Sequence, residues 1–312
     1  MNALDRAVRS WTPHTPEGEI ICGDMPGDSV RIGEEHLRKA GVLFPALLPL
    51  LRKALEENGG RAVVSVFGGS GVGKSEIASL LACYLREIGI GAYTLSGDNY
   101  PRRIPMYNDA ERLRVFRVGG IRGLLDENLY SPEVRGALAE LWRAGTDPDP
   151  AAAAGRPWLS AYQRAGRRAL ADYLGQDAEQ DYEELRAIVG RFRAGEPRIW
   201  LKRMGRTDDA LWYSEVDFSA VPVLIIEWTH GGSGRFGKVD LPVLLASTPA
   251  ETREHRRARA RDAQTDSAFT TMVLEIEQKL IEERAPSAAL ILSKAGSLMT
   301  VEAYRQAMEA GR

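Results

Sequence analysis

Residues 68–75 read Gly-Gly-Ser-Gly-Val-Gly-Lys-Ser, the spacing G-x-x-x-x-G-K-S of a phosphate-binding loop. The chemistry such a run supports is the grip of a nucleoside triphosphate. Successive backbone N–H groups and the positive end of the following helix point at the phosphates. Gly69, Ser70, Gly71, Val72, Gly73, Lys74, Ser75 and Glu76 are the candidate nucleotide contacts. Lys74 would reach the β- and γ-phosphates, and the Ser75 hydroxyl would bind Mg²⁺. A loop of this kind works only between a strand and a helix, and both are legible. Ala62-Val63-Val64-Ser65-Val66-Phe67 reads as a buried strand. Ile77, Leu80, Leu81, Tyr84, Leu85 and Ile88 fall on one helix face.

Two carboxylates occupy comparable places. Asp98 follows a second strand, Gly91–Ser96, and Glu227 ends the apolar run Val221–Ile226. Core strands alternate with helices and lack tight hairpins, which implies a parallel sheet covered on both faces. Such a sheet brings the carboxyl ends of its strands to one edge, where ligands bind. Phosphoryl transfer needs a triphosphate cradle, a carboxylate on the metal side and a base beside the acceptor hydroxyl. Glu227 suits the metal side together with Ser75, and Asp98 suits the base. Arg253, Arg257 and Arg261 lie one turn apart on one helix face. They read as a solvated surface, as a nucleic-acid patch, or as a lid whose guanidinium groups meet the transferring phosphate, with Arg257 or Arg261 stabilising the charge that develops there.

The acceptor side is expected near Asp98, Tyr100, Arg102, Arg103, Lys202, Arg203 and Arg206. Their positive charge suits an anionic or hydroxyl-rich small molecule. Tyr100, Tyr107, Trp200 and Trp212 keep a stacked nucleoside open. His230 either touches substrate or caps the turn at Gly231-Gly232. Gly232-Ser233-Gly234 lacks the final glycine of a nucleophile elbow, so hydrolase chemistry has no support.

Composition narrows the class further. The chain has 312 residues and a net charge of −2. That balance gives no electrostatic case for nucleic acid or an anionic membrane. Two cysteines, Cys22 and Cys83, make no disulfide framework and suit a reducing cytoplasm. The apolar stretch Val42–Leu51 is short and interrupted by Pro45 and Pro49, so a membrane span is not expected. A homodimer is the default for a cytoplasmic enzyme. Residues 1–60 read as a helical extension, with helices over Glu34–Glu57 broken at the two prolines. Residues 61–312 read as the core, with a mostly helical insertion over about 105–220. Within it Ile199–Met204 and Ala210–Tyr213 suggest a hairpin, and after it, in the core, Thr248-Pro249-Ala250-Glu251 reads as a capped helix start.

Taken together, the phosphate loop, Asp98, Glu227 and the arginine helix resemble the uridine kinase and phosphoribulokinase group of P-loop kinases. In that group a loop of the type Asp-Phe-Tyr supplies the catalytic base, and Asp98-Asn99-Tyr100 occupies its place. A strand ending in Glu-Gly is matched by Ile226-Glu227, with Trp228 where glycine is expected. The lid pattern Arg-x-x-Arg-Arg followed by Arg-Asp is similar to Arg253, Arg256-Arg257 and Arg261-Asp262, with one residue of slack. The resemblance covers residues 61–103 and 221–295, and leaves the first 60 residues and the insertion unexplained. It implies a P-loop NTPase three-layer α/β sandwich with a five-stranded, mainly parallel sheet and a helical insertion. It also implies ATP and Mg²⁺, transfer to a hydroxyl of a nucleoside, sugar or related metabolite, and a base site lined by Lys294, Ala295 and Gly296 after the last core strand. A local similarity of Ser96-Gly97-Asp98-Asn99 to adenylylsulfate kinases offers a second acceptor. A switch ATPase without a small-molecule acceptor would use the same loop.

Overall fold

The computed structural model describes residues 3–259 and 267–310. In chain order its elements are α1 (Ala3–Ser10), α2 (Glu34–Glu57), β1 (Ala62–Gly68), α3 (Lys74–Glu87), β2 (Ala92–Ser96), α4 (Pro105–Asp126), α5 (Pro132–Ala144), α6 (Pro157–Ala171), α7 (Tyr182–Arg193), β3 (Arg198–Met204), β4 (Leu211–Asp217), β5 (Val223–Glu227), β6 (Leu241–Leu245), α8 (Arg253–Arg259), α9 (Ala268–Arg284), β7 (Leu290–Leu292), β8 (Leu298–Met299) and α10 (Val301–Ala310). The chain divides into two compact units. One comprises Met1–Tyr100, Asp181–Arg256 and Gln278–Arg312, the other Pro101–Gln180 and Arg257–Glu277.

The first unit is built on a six-stranded sheet of order β2-β5-β1-β6-β7-β8, one strand more than expected because the short β8 folds back on β7. The first five strands are parallel, and the short β8 runs antiparallel to β7. Every residue of β1 is buried, as a strand covered on both faces requires. Successive side chains of β1 enter opposite layers. Ala62, Val64 and Val66 pack with α1, α2 and α3, whereas Val63 packs with Leu185, Ile188 and Phe192 of α7 and with Ile199 and Leu201 of β3. Phe67 meets Ile281, Tyr304 and Met308. The outcome is the three-layer α/β sandwich, with β3 and β4 as a separate antiparallel hairpin. Residues 181–220, grouped with the insertion on sequence, lie in this unit.

The expected break of the helix over Glu34–Glu57 does not occur. α2 is continuous and contains both Pro45 and Pro49. Proline in a helix interior removes a hydrogen bond and crowds the preceding turn. Here Leu43, Phe44, Leu47, Leu48 and Leu51 are all buried in the core shared with β1 and α3, and that burial outweighs the local cost.

In the second unit α4 and α6 come into close contact through glycine. A Cβ on Gly120 would lie 2.5 Å from the Tyr162 ring, and one on Gly166 2.7 Å from the Phe116 carbonyl oxygen. The loop after α5 carries Asp147, which is fully buried. It pairs with Arg117 at 2.8 Å and accepts from the Tyr162 hydroxyl at 3.0 Å. Among the described residues, no helix is long and apolar enough to cross a membrane.

Candidate active site

The phosphate loop leaves β1 at Gly68 and enters α3 at Lys74. Its glycines are dictated by backbone and space. Gly73, the residue before α3, has φ 95°, a left-handed conformation that side chains disfavour. At Gly68 a Cβ would lie 2.5 Å from the carbonyl oxygen of Leu245 on the neighbouring strand. The Lys74 ammonium folds back over the loop and donates to the Gly69 carbonyl at 3.1 Å.

Parallel pairing sets the depth of the carboxylate. Glu227 is level with Val66 on one side and with Ser96 on the other. Its two oxygens accept from two hydroxyls, Oε2 from Ser75 at 3.2 Å and Oε1 from Ser96 at 2.6 Å. Burial raises the Glu227 pKa, the charge of Asp98 raises it further, and Ser96 and Lys74 oppose the shift. Asp98 itself is exposed, in a single 3-10 turn over Gly97–Asn99. Trp228, which stands where the resemblance expects glycine, is buried and fills the space beside this turn. A Cβ on Gly97 would lie 2.1 Å from Trp228 Cγ, so a bulky residue after Glu227 requires glycine before Asp98.

The donor set fits a magnesium–nucleotide complex. Mg²⁺ takes oxygen ligands, commonly one or two from protein with the rest from phosphate and water. Ser75 and Glu227 supply a hydroxyl and a carboxylate side by side, and the glycine backbone opposite has no side chains to obstruct phosphates. Among the described residues no group of three or more His, Cys, Asp or Glu could hold a metal alone.

Several residues expected at the acceptor side are placed otherwise. Tyr100 is fully buried, and burial raises its pKa. Lys202 is buried over the Tyr100 ring, 5.1 Å from its centroid, with its ammonium 3.2 Å from Glu184. Arg203 is buried and paired with Asp24 at 2.9 Å. Lys202 and Arg203 support the Asp98 turn from behind, because their charged ends are already engaged inside the fold, whereas the buried Tyr100 hydroxyl has no hydrogen-bond partner among the described residues. His230 is buried edge-on against Trp228, with ring centroids 5.2 Å apart. Arg206 is exposed in the hairpin turn. Arg102 and Arg103 belong to the second unit. There Arg102 Nε donates to the Asp177 carbonyl at 2.6 Å, and Arg103 donates to the Tyr173 hydroxyl at 3.2 Å. Arg257 is exposed on α8 in the same unit, and Arg261 lies outside the described residues. Thr248 and Glu251 form the expected reciprocal cap, at 3.3 and 2.7 Å, although α8 begins only at Arg253.

Lys294, Ala295 and Gly296 form the tip of the β7–β8 hairpin, where Gly296 has φ 87°. The start of α2 packs on this tip. Arg38 donates to the Ala295 carbonyl, and Lys294 lies 3.7 Å from Glu35. His36, one turn into α2, reaches the phosphate loop. Its Nδ1 accepts from the Gly33 N–H at 3.1 Å, so the neutral ring carries its proton on Nε2. That nitrogen is 3.2 Å from where a Gly73 Cβ would stand. Sequence reading did not single out Asp24 or His36, and it named Ser96 and Asn99 only as neighbours of Asp98. The stretch around Asp24 has no periodicity, and nothing local marks its distant partners.

No protein-family profile matches the chain. The chain is 36% identical over 264 residues, 84% of its length, to the bifunctional alpha-galactosidase/sucrose kinase of Mediterraneibacter gnavus. It spans 23% of that relative's length. Similar solved structures include a candidate fructose transport system kinase from Silicibacter (17% identity, 77% of this chain and 93% of that one, TM-score 0.46). Others are a possible uridine kinase from Bacillus stearothermophilus (17%, 77% and 98%, TM-score 0.39) and the D-glycerate 3-kinase of Cryptococcus neoformans (12%, 86% and 99%, TM-score 0.47). The parallel sheet, the phosphate loop between β1 and α3 and the Glu227 strand end give the chain the three-layer α/β fold of a P-loop protein.

Proposed function

We propose that the chain is an ATP- and Mg²⁺-dependent kinase that phosphorylates a hydroxyl of a small sugar. The observation that carries the kinase reading is the contact of Ser75 with Glu227, with Asp98 at the end of the adjacent strand β2. Support for a sugar comes from the relative whose name includes sucrose kinase. A matched stretch of 264 residues in a chain of 312 includes the phosphate loop wherever it begins.

Lys74 and the loop amides hold the triphosphate, and the tip at Lys294, Ala295 and Gly296 takes the base. Mg²⁺ bound at Ser75 and Glu227 would neutralise charge on the phosphates during transfer. Asp98 accepts the proton of the acceptor hydroxyl as its oxygen bonds to the γ-phosphorus. The bond to the bridging oxygen breaks, ADP leaves, and Asp98 returns its proton to solvent. The exposure of Asp98 suits this, since a base must reach both acceptor and water.

The test is ADP release with sucrose, other disaccharides, hexoses, uridine, glycerate and adenylylsulfate offered singly, with Lys74→Ala as the blank. Release that depends on a sugar is expected. Release at the same rate with every compound and with none marks a switch ATPase and overturns the reading. Release only with uridine or adenylylsulfate overturns the sugar.

A further inference from the structure

We propose that Asp24, on the segment between α1 and α2, is a positioning residue that holds the Asp98 turn in its working geometry, and that Arg203 acts through it. This rests on the reading of Asp98 as the base. The Asp24 carboxylate is buried, with 8% of its side chain exposed, and both its oxygens are used. Oδ1 accepts from the Ser96 backbone N–H at 2.7 Å and from Asn99 Nδ2 at 2.9 Å. Oδ2 accepts from the Tyr93 hydroxyl and from Arg203, each at 2.9 Å. One carboxylate oxygen thus grips the residue two before Asp98 and the residue one after it.

The other bonds close a frame around this grip. Arg203 also donates to the Tyr93 oxygen at 2.9 Å, so Arg203, Tyr93 and Asp24 form a ring. The Asn99 side-chain oxygen Oδ1 accepts from the Met204 N–H at 2.9 Å, which ties β3 to the turn. Ser96, held by Asp24 through its N–H, holds Glu227 through its hydroxyl. The metal-side carboxylate and the base turn therefore share one anchor. Burial raises the Asp24 pKa, and the Arg203 charge, the Ser96 N–H and the Tyr93 hydroxyl oppose that shift. A carboxylate buried this way fixes geometry in a manner an apolar contact does not, because each bond has a direction.

A purely structural tie between the amino-terminal segment and the sheet would lower stability without singling out turnover. Positioning predicts a different pattern. Asp24→Asn should lower kcat by about 10²-fold, the cost of misplacing a reacting group by about 1 Å, with ATP Kd changed less than about threefold. In an Asp98→Asn background the same change should cost less than about threefold in kcat, because the base it positions is already gone. Should Asp24→Asn fail to fold, Asp24→Leu paired with Arg203→Met removes both buried charges together.

The experiment measures kcat with sucrose, ATP Kd and the melting point for Asp24→Asn, Asp98→Asn and their double variant. Alongside it goes a crystal structure of the Asp24→Leu/Arg203→Met protein, which is independent of any acceptor. Non-additive loss of kcat and a displaced Asp98 support the proposal. Wild-type kcat in Asp24→Asn while Asp98→Asn is inactive overturns positioning and leaves the kinase base intact. Full activity in Asp98→Asn overturns the base reading and the proposal with it. An Asp98 turn superimposing on the wild type in the crystal overturns the proposal whatever the acceptor.

Discussion

Ser75 and Glu227 are 152 residues apart in the chain and meet at 3.2 Å across the carboxyl edge of the sheet. One is the second residue of the helix after the phosphate loop, the other ends β5, and the pairing of β1 with β5 sets their separation. Glu227→Gln keeps the shape and an acceptor for Ser96 but removes the charge. Turnover should fall at least about 10²-fold, the scale on which a preorganised electrostatic group acts. The Mg²⁺ concentration for half-activation should rise about 10-fold or more. The melting point should hold or rise, since a buried carboxylate that resists ionisation is replaced by a neutral amide. An unchanged magnesium titration would remove Glu227 from the metal.

Asp98 is exposed, so its replacement should leave the fold alone. Asp98→Asn should change stability by no more than about 0.5 kcal/mol. Nucleotide affinity should persist, and kcat should fall at least about 10²-fold, as for a lost general base. Single-turnover measurements separate that loss from slow product release. Normal turnover would assign the proton to another group.

The sequence made the phosphate loop, its strand and its helix plain because each is encoded within a few residues. Glu227 was legible for a related reason, as a lone charge closing an apolar run. What stayed hidden depends on pairs far apart in the chain. Arg203 reads as a free cation until Asp24, 179 residues away, is seen against it. Lys202 likewise looks like an acceptor contact until the Tyr100 ring and Glu184 enclose it. The two prolines of α2 misled in the opposite sense. Local propensity argues for a break, and tertiary burial along the helix overrides it.

Gly97 and Trp228 should behave as one unit. Gly97→Ala places a methyl group where Trp228 Cγ is 2.1 Å away and should cost about 1–3 kcal/mol by overpacking. Trp228→Gly empties a buried site and should cost about 3–5 kcal/mol. Combined, each relieves part of the other's defect, and the double variant should be more stable than the sum by about 0.5–3 kcal/mol. Urea denaturation of the four proteins measures this coupling. Strict additivity would mean that the tryptophan is not what demands glycine before Asp98.

His36 should give stability a pH dependence near neutrality. Burial against the phosphate loop lowers its pKa in the folded protein below the usual 6.5, the charges of Glu76 and Glu35 opposing that shift. The unfolded chain therefore binds the proton more readily than the folded one between the two values. Unfolding is then favoured as pH drops. The contribution of neutral His36 is fully present above about pH 6.5, and it is lost as pH falls through the lower folded value. His36→Gln cannot titrate, so its stability should fall less steeply between about pH 7.5 and 5.5 than the wild type's. The slopes should differ by less than one proton, or at most about 1.4 kcal/mol per pH unit. Carboxylates titrate in both proteins and cancel in the comparison. Chemical denaturation at several pH values in that window measures both slopes, and parallel curves would show that the imidazole is equally easy to protonate folded and unfolded.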